Sequence, residues 1–218
     1  MEIKAIILDC YGTMFDSERL WWDVWYEIGK SAGVRVPEDF LIRITGATSG
    51  KENTIQEDYP EVMGISSTVR KIGRERLDQV MKERSDIQKP GLSKLLDYIK
   101  EKQLKVAVVS NSETSHVHGL IQTTDYIDLF DCVVCREDVN QGKPNPEGLL
   151  KVAKQMQVNP ENCLVIEDSK LGTLAAKNAG MHRVYIKDLV PKDEELQSYI
   201  EYELSDLAEI IQFLETSY

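Results

Sequence analysis

The feature that most constrains the fold of this chain is a series of short apolar runs, each ended by polar residues. Such runs, rich in β-branched side chains, are typical of strands buried on both faces of a parallel sheet. Helical patterns fall between them, over residues 92–102, 146–155 and 171–180. Alternating strands and helices predict an α/β fold in which helices cover both faces of a parallel sheet. The predicted strands comprise residues 3–8, 106–109, 132–135, 163–166 and 183–186.

The stretch between residues 15 and 89 has a different pattern. Predicted helices at 18–32, 38–44 and 69–84 follow one another without an intervening strand pattern. An all-helical insertion after the first strand would form a cap over one edge of the sheet. We therefore predict two domains, a core of residues 1–14 and 90–218 and a helical cap of residues 15–89.

The acidic composition limits the partners of the chain. The formal net charge is −11, so the surface repels polyanions and we expect no nucleic-acid partner. No stretch approaches the roughly 20 apolar residues of a membrane span, so we expect no membrane association. Glu2 and Asp9 interrupt the first apolar run, which argues against a secretory signal. We expect a cytoplasmic monomer whose cysteines, including those of the Cys132–Cys135 pair, are reduced thiols.

Polar residues that can do chemistry follow three of the predicted strands, namely Asp9, Ser110 and Asp168. Parallel sheets bind ligands beyond the carboxyl ends of their strands, so we expect these side chains to share one cleft. A carboxylate such as Asp9 can attack phosphorus and form an aspartyl phosphate, although it could instead cap the following turn. Gly12 permits a tight turn near a substrate, and Thr13 offers a hydroxyl to a substrate oxyanion.

Two further segments supply groups that could bind a phosphoryl oxygen. Ser110 and Asn111 offer polar side chains and backbone N–H groups, although they could simply cap the helix that follows. Lys143 lies between Gly142 and a pair of prolines, Pro144 and Pro146, which fix the backbone. Its ammonium could neutralise both a nucleophilic carboxylate and a bound phosphate. The alternative is an ordinary solvated lysine.

Glu167 and Asp168 end a predicted buried strand, where two carboxylates are costly unless they are paired or bound to a metal. With Asp9 they could form an oxygen-only site suited to Mg²⁺, which keeps several waters and bridges to phosphate. A solvated pair of loop acids is the alternative, but the apolar residues 164–166 that precede the pair favour burial.

In their order along nearly the whole chain, these segments resemble the haloacid dehalogenase-like hydrolase superfamily. Within it the chain resembles the β-phosphoglucomutase-like phosphatases, in residues 16–18, 142–146, 166–169 and 179–181. The resemblance implies a Rossmann-like core, a cap that opens and closes over the site, and a small phosphorylated substrate, with sugar phosphates favoured. It also implies Mg²⁺ held by Asp9, the backbone carbonyl of Tyr11 and Asp168, with Glu167 in support.

One catalytic position departs from the family pattern. Family phosphatases and mutases have a second aspartate two residues after the nucleophile, as general acid and base, and here that residue is Tyr11. General acid–base help is worth about 10² to 10⁴ in rate, so its loss is serious. Mutase chemistry, which needs that group twice, is the least favoured alternative.

A tyrosine at this position resembles the 2-haloacid dehalogenases, which attack carbon, expel a halide and need no metal. The segments around Lys143 and around Glu167 and Asp168 resemble the phosphatases instead, so phosphatase activity is the main prediction and dehalogenation the alternative. A third interpretation is a catalytically weak protein that binds phosphate esters.

The cap is expected to set substrate specificity. Residues 45–48 occupy the place where β-phosphoglucomutase-like caps have a glycine-containing substrate loop, so we predict that Gly46 and Thr48 contact the substrate. A helix-terminating turn at Gly46 is the alternative.

Overall fold

A parallel sheet forms the centre of the molecule, as seen in a computed structural model that describes residues 2–45, 52–83 and 87–217. In these ranges six strands lie in the order β3-β2-β1-β4-β5-β6, and every adjacent pair is parallel. The predicted parallel α/β fold is thus confirmed. The strands are β1 (Ala5–Leu8), β2 (Lys105–Val109), β3 (Cys132–Val134), β4 (Cys163–Glu167), β5 (His182–Ile186) and β6 (Tyr202–Leu204).

Helices cover both faces of the sheet and fill the long connection between β1 and β2. In chain order they are α1 (Ser17–Ala32), α2 (Glu38–Ile44), α3 (Glu52–Asp58), α4 (Pro60–Gly64), α5 (Ser66–Glu83), α6 (Leu92–Lys102), α7 (Thr114–Ile121), α8 (Glu147–Met156), α9 (Lys170–Asn178), α10 (Glu194–Gln197) and α11 (Glu209–Ser217).

Strand β1 shows why the sheet is buried on both sides. Its side chains alternate between faces, as the period of a strand requires. Ile6 and Leu8 join a cluster with α6, α7 and α11, whereas Ala5 and Ile7 join one with α8 and α9. All four of these side chains are fully buried, so a polar residue could be accommodated only beyond the end of the strand.

The helices between β1 and β2 have a hydrophobic cluster of their own. Trp25 of α1 packs edge-on against Phe40 of α2, with ring centroids 4.8 Å apart, and Val69 of α5 belongs to the same cluster. Leu77, farther along α5, joins the cluster of the sheet instead. The division into a core of residues 1–14 and 90–218 and a cap of residues 15–89 stays a prediction. None of the helices within the described ranges has the length and apolar character that a membrane crossing requires.

Candidate active site

A buried cluster of charged groups lies at the carboxyl end of the central strands. The Lys143 Nζ lies 2.5 Å from Asp9 Oδ1 and 2.5 Å from Glu167 Oε1, and it donates to the Val109 carbonyl at 2.7 Å. Asp9 follows β1, Val109 ends β2 and Glu167 ends β4, and these strands are neighbours in the sheet. The topology therefore brings together residues that are more than a hundred positions apart in the sequence.

Burial determines the charge state of this cluster. The exposed fractions of the Lys143, Asp9 and Glu167 side chains are only 6%, 12% and 1%. Burial raises the pKa of Asp9 to about 7, and the charge of Glu167 adds to the rise, although Lys143 opposes it. Burial lowers the pKa of Lys143, but the two carboxylates more than offset this and raise it above its ordinary value. Lys143 is therefore an ammonium at neutral pH.

Asp168 completes an acidic cluster that Lys143 alone does not neutralise. Carboxylate oxygens of Asp9, Glu167 and Asp168 lie within 4.8 Å of one another. Burial, and then the charges of Glu167 and Asp9, raise the pKa of Asp168 well above its ordinary value. Close carboxylate oxygens with excess negative charge form a donor set that suits a hard divalent cation. The residues present therefore fit the predicted metal site.

Gly12 and Thr13 position Asp168. The Thr13 hydroxyl donates to Asp168 Oδ1 at 2.6 Å, and Thr13 is fully buried. Gly12 has a φ of +79°, and a Cβ there would lie 2.2 Å from Asp168 Oδ2. The substrate contacts predicted for Gly12 and Thr13 stay predictions, and within the described residues both lie against Asp168. In the structure they orient an acidic side chain.

Both carboxylate oxygens of Glu167 accept hydrogen bonds from the protein. Oε1 accepts from Lys143, while Oε2 accepts from the backbone N–H groups of Asp168 and Ser169 at 3.1 and 3.0 Å and from the Ser169 hydroxyl at 2.8 Å. A Cβ on Gly172 would lie only 1.7 Å from Oε1, so a glycine there makes room for the carboxylate. This arrangement suits the supporting role predicted for Glu167 rather than direct ligation.

Asn111 holds the Lys143 segment in place. Its Oδ1 accepts from the Lys143 backbone N–H at 2.8 Å, and its Nδ2 donates to the Lys143 carbonyl at 3.1 Å. Ser110 lies beside it, 4% exposed, and its Oγ accepts from the Ser112 backbone N–H at 3.2 Å. Within the described ranges no residue accepts a hydrogen bond from the Ser110 hydroxyl, so its hydrogen can be donated to a ligand.

These groups open onto a cavity of about 560 Å³, which lies between the sheet edge and the helices that follow β1. From the predicted site, the lining includes Asp9, Tyr11, Ser110, Asn111, Lys143 and Asp168. From α2 and α3 it includes Ile42, Arg43, Thr54 and Ile55. The predicted substrate contacts Gly46 and Thr48 lie outside the described residues.

Three carboxylates in the cavity wall, Glu18, Asp188 and Asp193, were not predicted as site residues from the sequence. Glu18, in the first turn of α1, has the ordinary appearance of an acidic helix start. Asp188 follows β5 and could have been found by the rule that identified Asp9, because it too ends a central strand. It accepts from Lys89 Nζ at 2.6 Å.

Tyr11 also lines the cavity, where the family pattern places an acid. Burial, followed by the charges around it, raises the pKa of its phenol far above the ordinary value. Tyr11 therefore stays protonated at neutral pH and cannot act as a base.

Comparison with known proteins agrees with this fold. A family model described as haloacid dehalogenase-like hydrolase matches residues 3–180, so the chain belongs to that family and is a hydrolase. It is 30% identical over 183 residues to the phosphorylated carbohydrates phosphatase of Thermotoga maritima, with 84% of each chain covered.

Two further similarities extend over almost the whole chain. YhcW of Bacillus subtilis, described as a candidate phosphatase, is 31% identical over 214 residues, covering 95% of this chain and 94% of YhcW. A solved Thermotoga maritima structure, described as a candidate β-phosphoglucomutase, superposes with a TM-score of 0.76 and 25% identity, covering 100% of both chains. The resemblance to β-phosphoglucomutase-like members of the family is thereby confirmed.

Proposed function

We propose that this chain is a Mg²⁺-dependent phosphatase that acts on a small phosphorylated metabolite, with sugar phosphates as the favoured class. The observation that supports this most directly is the Lys143 ammonium bonded to Asp9 beside the Asp168 carboxylate, at one end of a cavity. The name of the Thermotoga maritima relative, a phosphorylated carbohydrates phosphatase, supports the substrate class.

In the proposed mechanism an Asp9 oxygen attacks phosphorus and displaces the alcohol, and water then hydrolyses the aspartyl phosphate. Lys143 holds Asp9 in position and offsets the charge that the phosphoryl group brings. The Ser110 hydroxyl donates to a phosphoryl oxygen, while Asn111 keeps Lys143 in place. Mg²⁺, held by Asp9, Asp168 and the Tyr11 backbone carbonyl, would neutralise phosphoryl charge when it is bound.

The charges around the cavity favour a substrate with one anionic group. The cavity wall also holds the carboxyl groups of Glu18 and Asp188, and Asp188 is already paired with Lys89. Two cations of the wall are already paired, Arg43 with Asp58 at 2.7 Å and Lys170 with Asp193 at 2.7 Å. A second phosphate or a carboxylate on the leaving group would find no free counterion among these residues. This supports a neutral polyol such as a sugar.

Dehalogenation is the second candidate because Tyr11 matches the dehalogenase pattern. It needs no metal, whereas the carboxylate oxygens of Asp9, Glu167 and Asp168 lie within 4.8 Å of one another and form a donor set for a divalent cation. This acidic cluster therefore supports the metal-dependent phosphatase over the dehalogenase.

The direct test measures phosphate release from a panel of sugar phosphates and from p-nitrophenyl phosphate, with Mg²⁺ and with EDTA, beside halide release from 2-chloropropionate. We expect phosphate release that needs Mg²⁺ and no halide release. Halide release insensitive to EDTA would instead establish the dehalogenase. Tight binding of phosphate esters without turnover in either assay would favour a binding protein.

A further inference from the structure

The proposed reaction needs a proton transfer at two points, and Tyr11 can perform neither. The departing sugar oxygen must be protonated, and the water that attacks the aspartyl phosphate must lose a proton. The Tyr11 phenol, with its raised pKa, is too weak an acid for the first task and has no basic form for the second. Another group that reaches the cavity must perform both.

Most carboxylates of the cavity wall already have other partners. Asp9 is the proposed nucleophile, and Asp168 accepts from Thr13 within the acidic cluster. Asp188, only 5% exposed, accepts from Lys89. Asp193 caps α10 by accepting from the Leu196 backbone N–H at 2.7 Å and also binds Lys170. None of these can exchange protons with a substrate without losing an ion pair, a cap or a catalytic function.

Glu18 differs from all of them. It lies half-buried in the first turn of α1 and lines the cavity together with Asp9. Its carboxylate forms no side-chain hydrogen bond or ion pair with any residue of the described ranges. It is therefore available to a ligand in the cavity.

The surroundings of Glu18 favour its protonated form. Burial raises its pKa to about 7, and the charges of Asp188 and Asp9 add to the rise. The positive end of the α1 dipole opposes this shift, and Lys89 partly offsets Asp188. Both forms of the carboxyl group are thus present near neutral pH, which suits a group that alternates between acid and base.

We propose that Glu18 is the general acid and base of this enzyme, taking over from helix α1 the function that an aspartate two residues after the nucleophile performs elsewhere in the family. The assignment rests on the proposed phosphatase function.

The two half-reactions then balance. As Asp9 forms its bond to phosphorus, the bond from phosphorus to the sugar oxygen breaks, and that oxygen takes the proton of the Glu18 carboxyl group. The alcohol leaves. In the second step the Glu18 carboxylate takes a proton from water while the water oxygen bonds to phosphorus. The bond from phosphorus to Asp9 breaks, which yields inorganic phosphate, a free Asp9 carboxylate and a protonated Glu18.

The test compares leaving groups in the Glu18→Gln variant. The sugar phosphate that the wild type hydrolyses fastest has a poor leaving group that needs a proton, whereas p-nitrophenolate leaves without one. With the sugar phosphate we expect kcat to fall by about 10² to 10⁴. With p-nitrophenyl phosphate we expect a rapid burst of one p-nitrophenol per active site, near the wild-type rate, followed by slow turnover.

Two companion variants separate proton transfer from structural damage. Asp23→Asn removes a charge from the exposed side of the same helix and should leave both substrates at wild-type rates. Tyr11→Asp restores the family pattern. Added to Glu18→Gln, it should raise kcat for the sugar phosphate by a factor of about 10 or more, because it supplies a new proton donor.

The outcomes distinguish the two proposals. If Glu18→Gln slows the p-nitrophenol burst and sugar phosphate hydrolysis by the same factor, or changes neither, the role of Glu18 is wrong while the phosphatase stands. If the wild type releases no phosphate from any ester, the proposed function fails and the role of Glu18 fails with it.

Discussion

At the scale of single residues, the site depends on a balance of buried charge. Lys143 is the cation that contacts both Asp9 and Glu167. A buried ion pair contributes little net stability when it is complete, but breaking it leaves a carboxylate buried without a counterion. Lys143 is therefore needed for the fold as well as for the proposed chemistry.

We expect Lys143→Met to abolish activity and to lower the free energy of unfolding by about 3–5 kcal/mol, measured by urea denaturation at pH 8. The loss should be smaller at pH 5, where Asp9 can take up a proton. Lys154→Met, an exposed position on α8, is the matched control and should change little. Equal stabilities of the two variants would mean that the buried carboxylates do not need Lys143.

Gly12 combines an unusual backbone conformation with a close approach to Asp168. Gly180 has a similar φ, +69°, but a Cβ there would meet nothing within 4 Å. We expect both Gly12→Ala and Gly180→Ala to cost about 1–2 kcal/mol of backbone strain. Because only Gly12→Ala displaces Asp168, only that variant should lose phosphatase activity. Comparable activity in both would show that the position of Asp168 is not critical.

At the scale of elements, helix α5 packs closely on α1 through Gly73. A Cβ at Gly73 would lie 2.0 Å from Cζ3 of Trp21. Alanine is favoured over glycine inside a helix by about 0.5–1 kcal/mol, but overpacking costs about 1–3 kcal/mol. The clash therefore outweighs the gain in helix propensity.

Gly73→Ala should consequently lower the thermal unfolding temperature. The control is Gly64→Ala, at the end of α4, where an added Cβ meets nothing within 4 Å. That variant should be neutral or slightly stabilised. A rise in the unfolding temperature of Gly73→Ala would mean that Trp21 moves aside at no cost.

The elements that could be predicted from the sequence are those whose own residues are apolar enough to indicate that they are buried. The five predicted strands agree with β1 to β5 to within two residues at each end, because each is an apolar run. Strand β6 was missed because it is an edge strand of three residues with the exposed Glu203 at its centre. Helix α4 was missed because five residues are too few to show a helical period.

Some residues of the candidate site could likewise be predicted from the sequence, and others could not. Asp9, Ser110 and Asp168 could be placed together because strand ends meet at one edge of a parallel sheet. Glu18 could not, because its approach to the cavity depends on how α1 packs. The hydrogen bond from Thr13 to Asp168 could not be predicted either, because it depends on the backbone path of a single turn.

At the scale of the whole molecule, the acidic cavity should make stability depend on pH and on metal. Asp9 and Glu18 have folded pKa values of about 7, raised above their ordinary values by burial. An acid with a raised pKa contributes stability below its ordinary pKa, and that contribution is lost as pH rises through the folded value. The free energy of unfolding should therefore fall between pH 5.5 and pH 8 in EDTA.

Mg²⁺ should reverse this decline, because a cation that binds only the folded chain raises the free energy of unfolding by RT ln(1 + [L]/Kd). At a free cation concentration of a hundred times Kd this amounts to about 2.7 kcal/mol. The increase in unfolding temperature on adding Mg²⁺ at pH 8 should disappear in Asp168→Asn. A similar increase in that variant would place the metal elsewhere.

The central claim is that Asp9 attacks a phosphate ester. Its most direct test is the initial rate at which the Asp9→Asn variant releases phosphate from p-nitrophenyl phosphate in saturating Mg²⁺. The substitution keeps the shape of the side chain but removes its nucleophilic charge. We predict a fall of at least about 10³-fold relative to the wild type, while the control Asp23→Asn is unchanged. An Asp9→Asn variant that retains about a tenth or more of the wild-type rate would show that Asp9 is not the nucleophile.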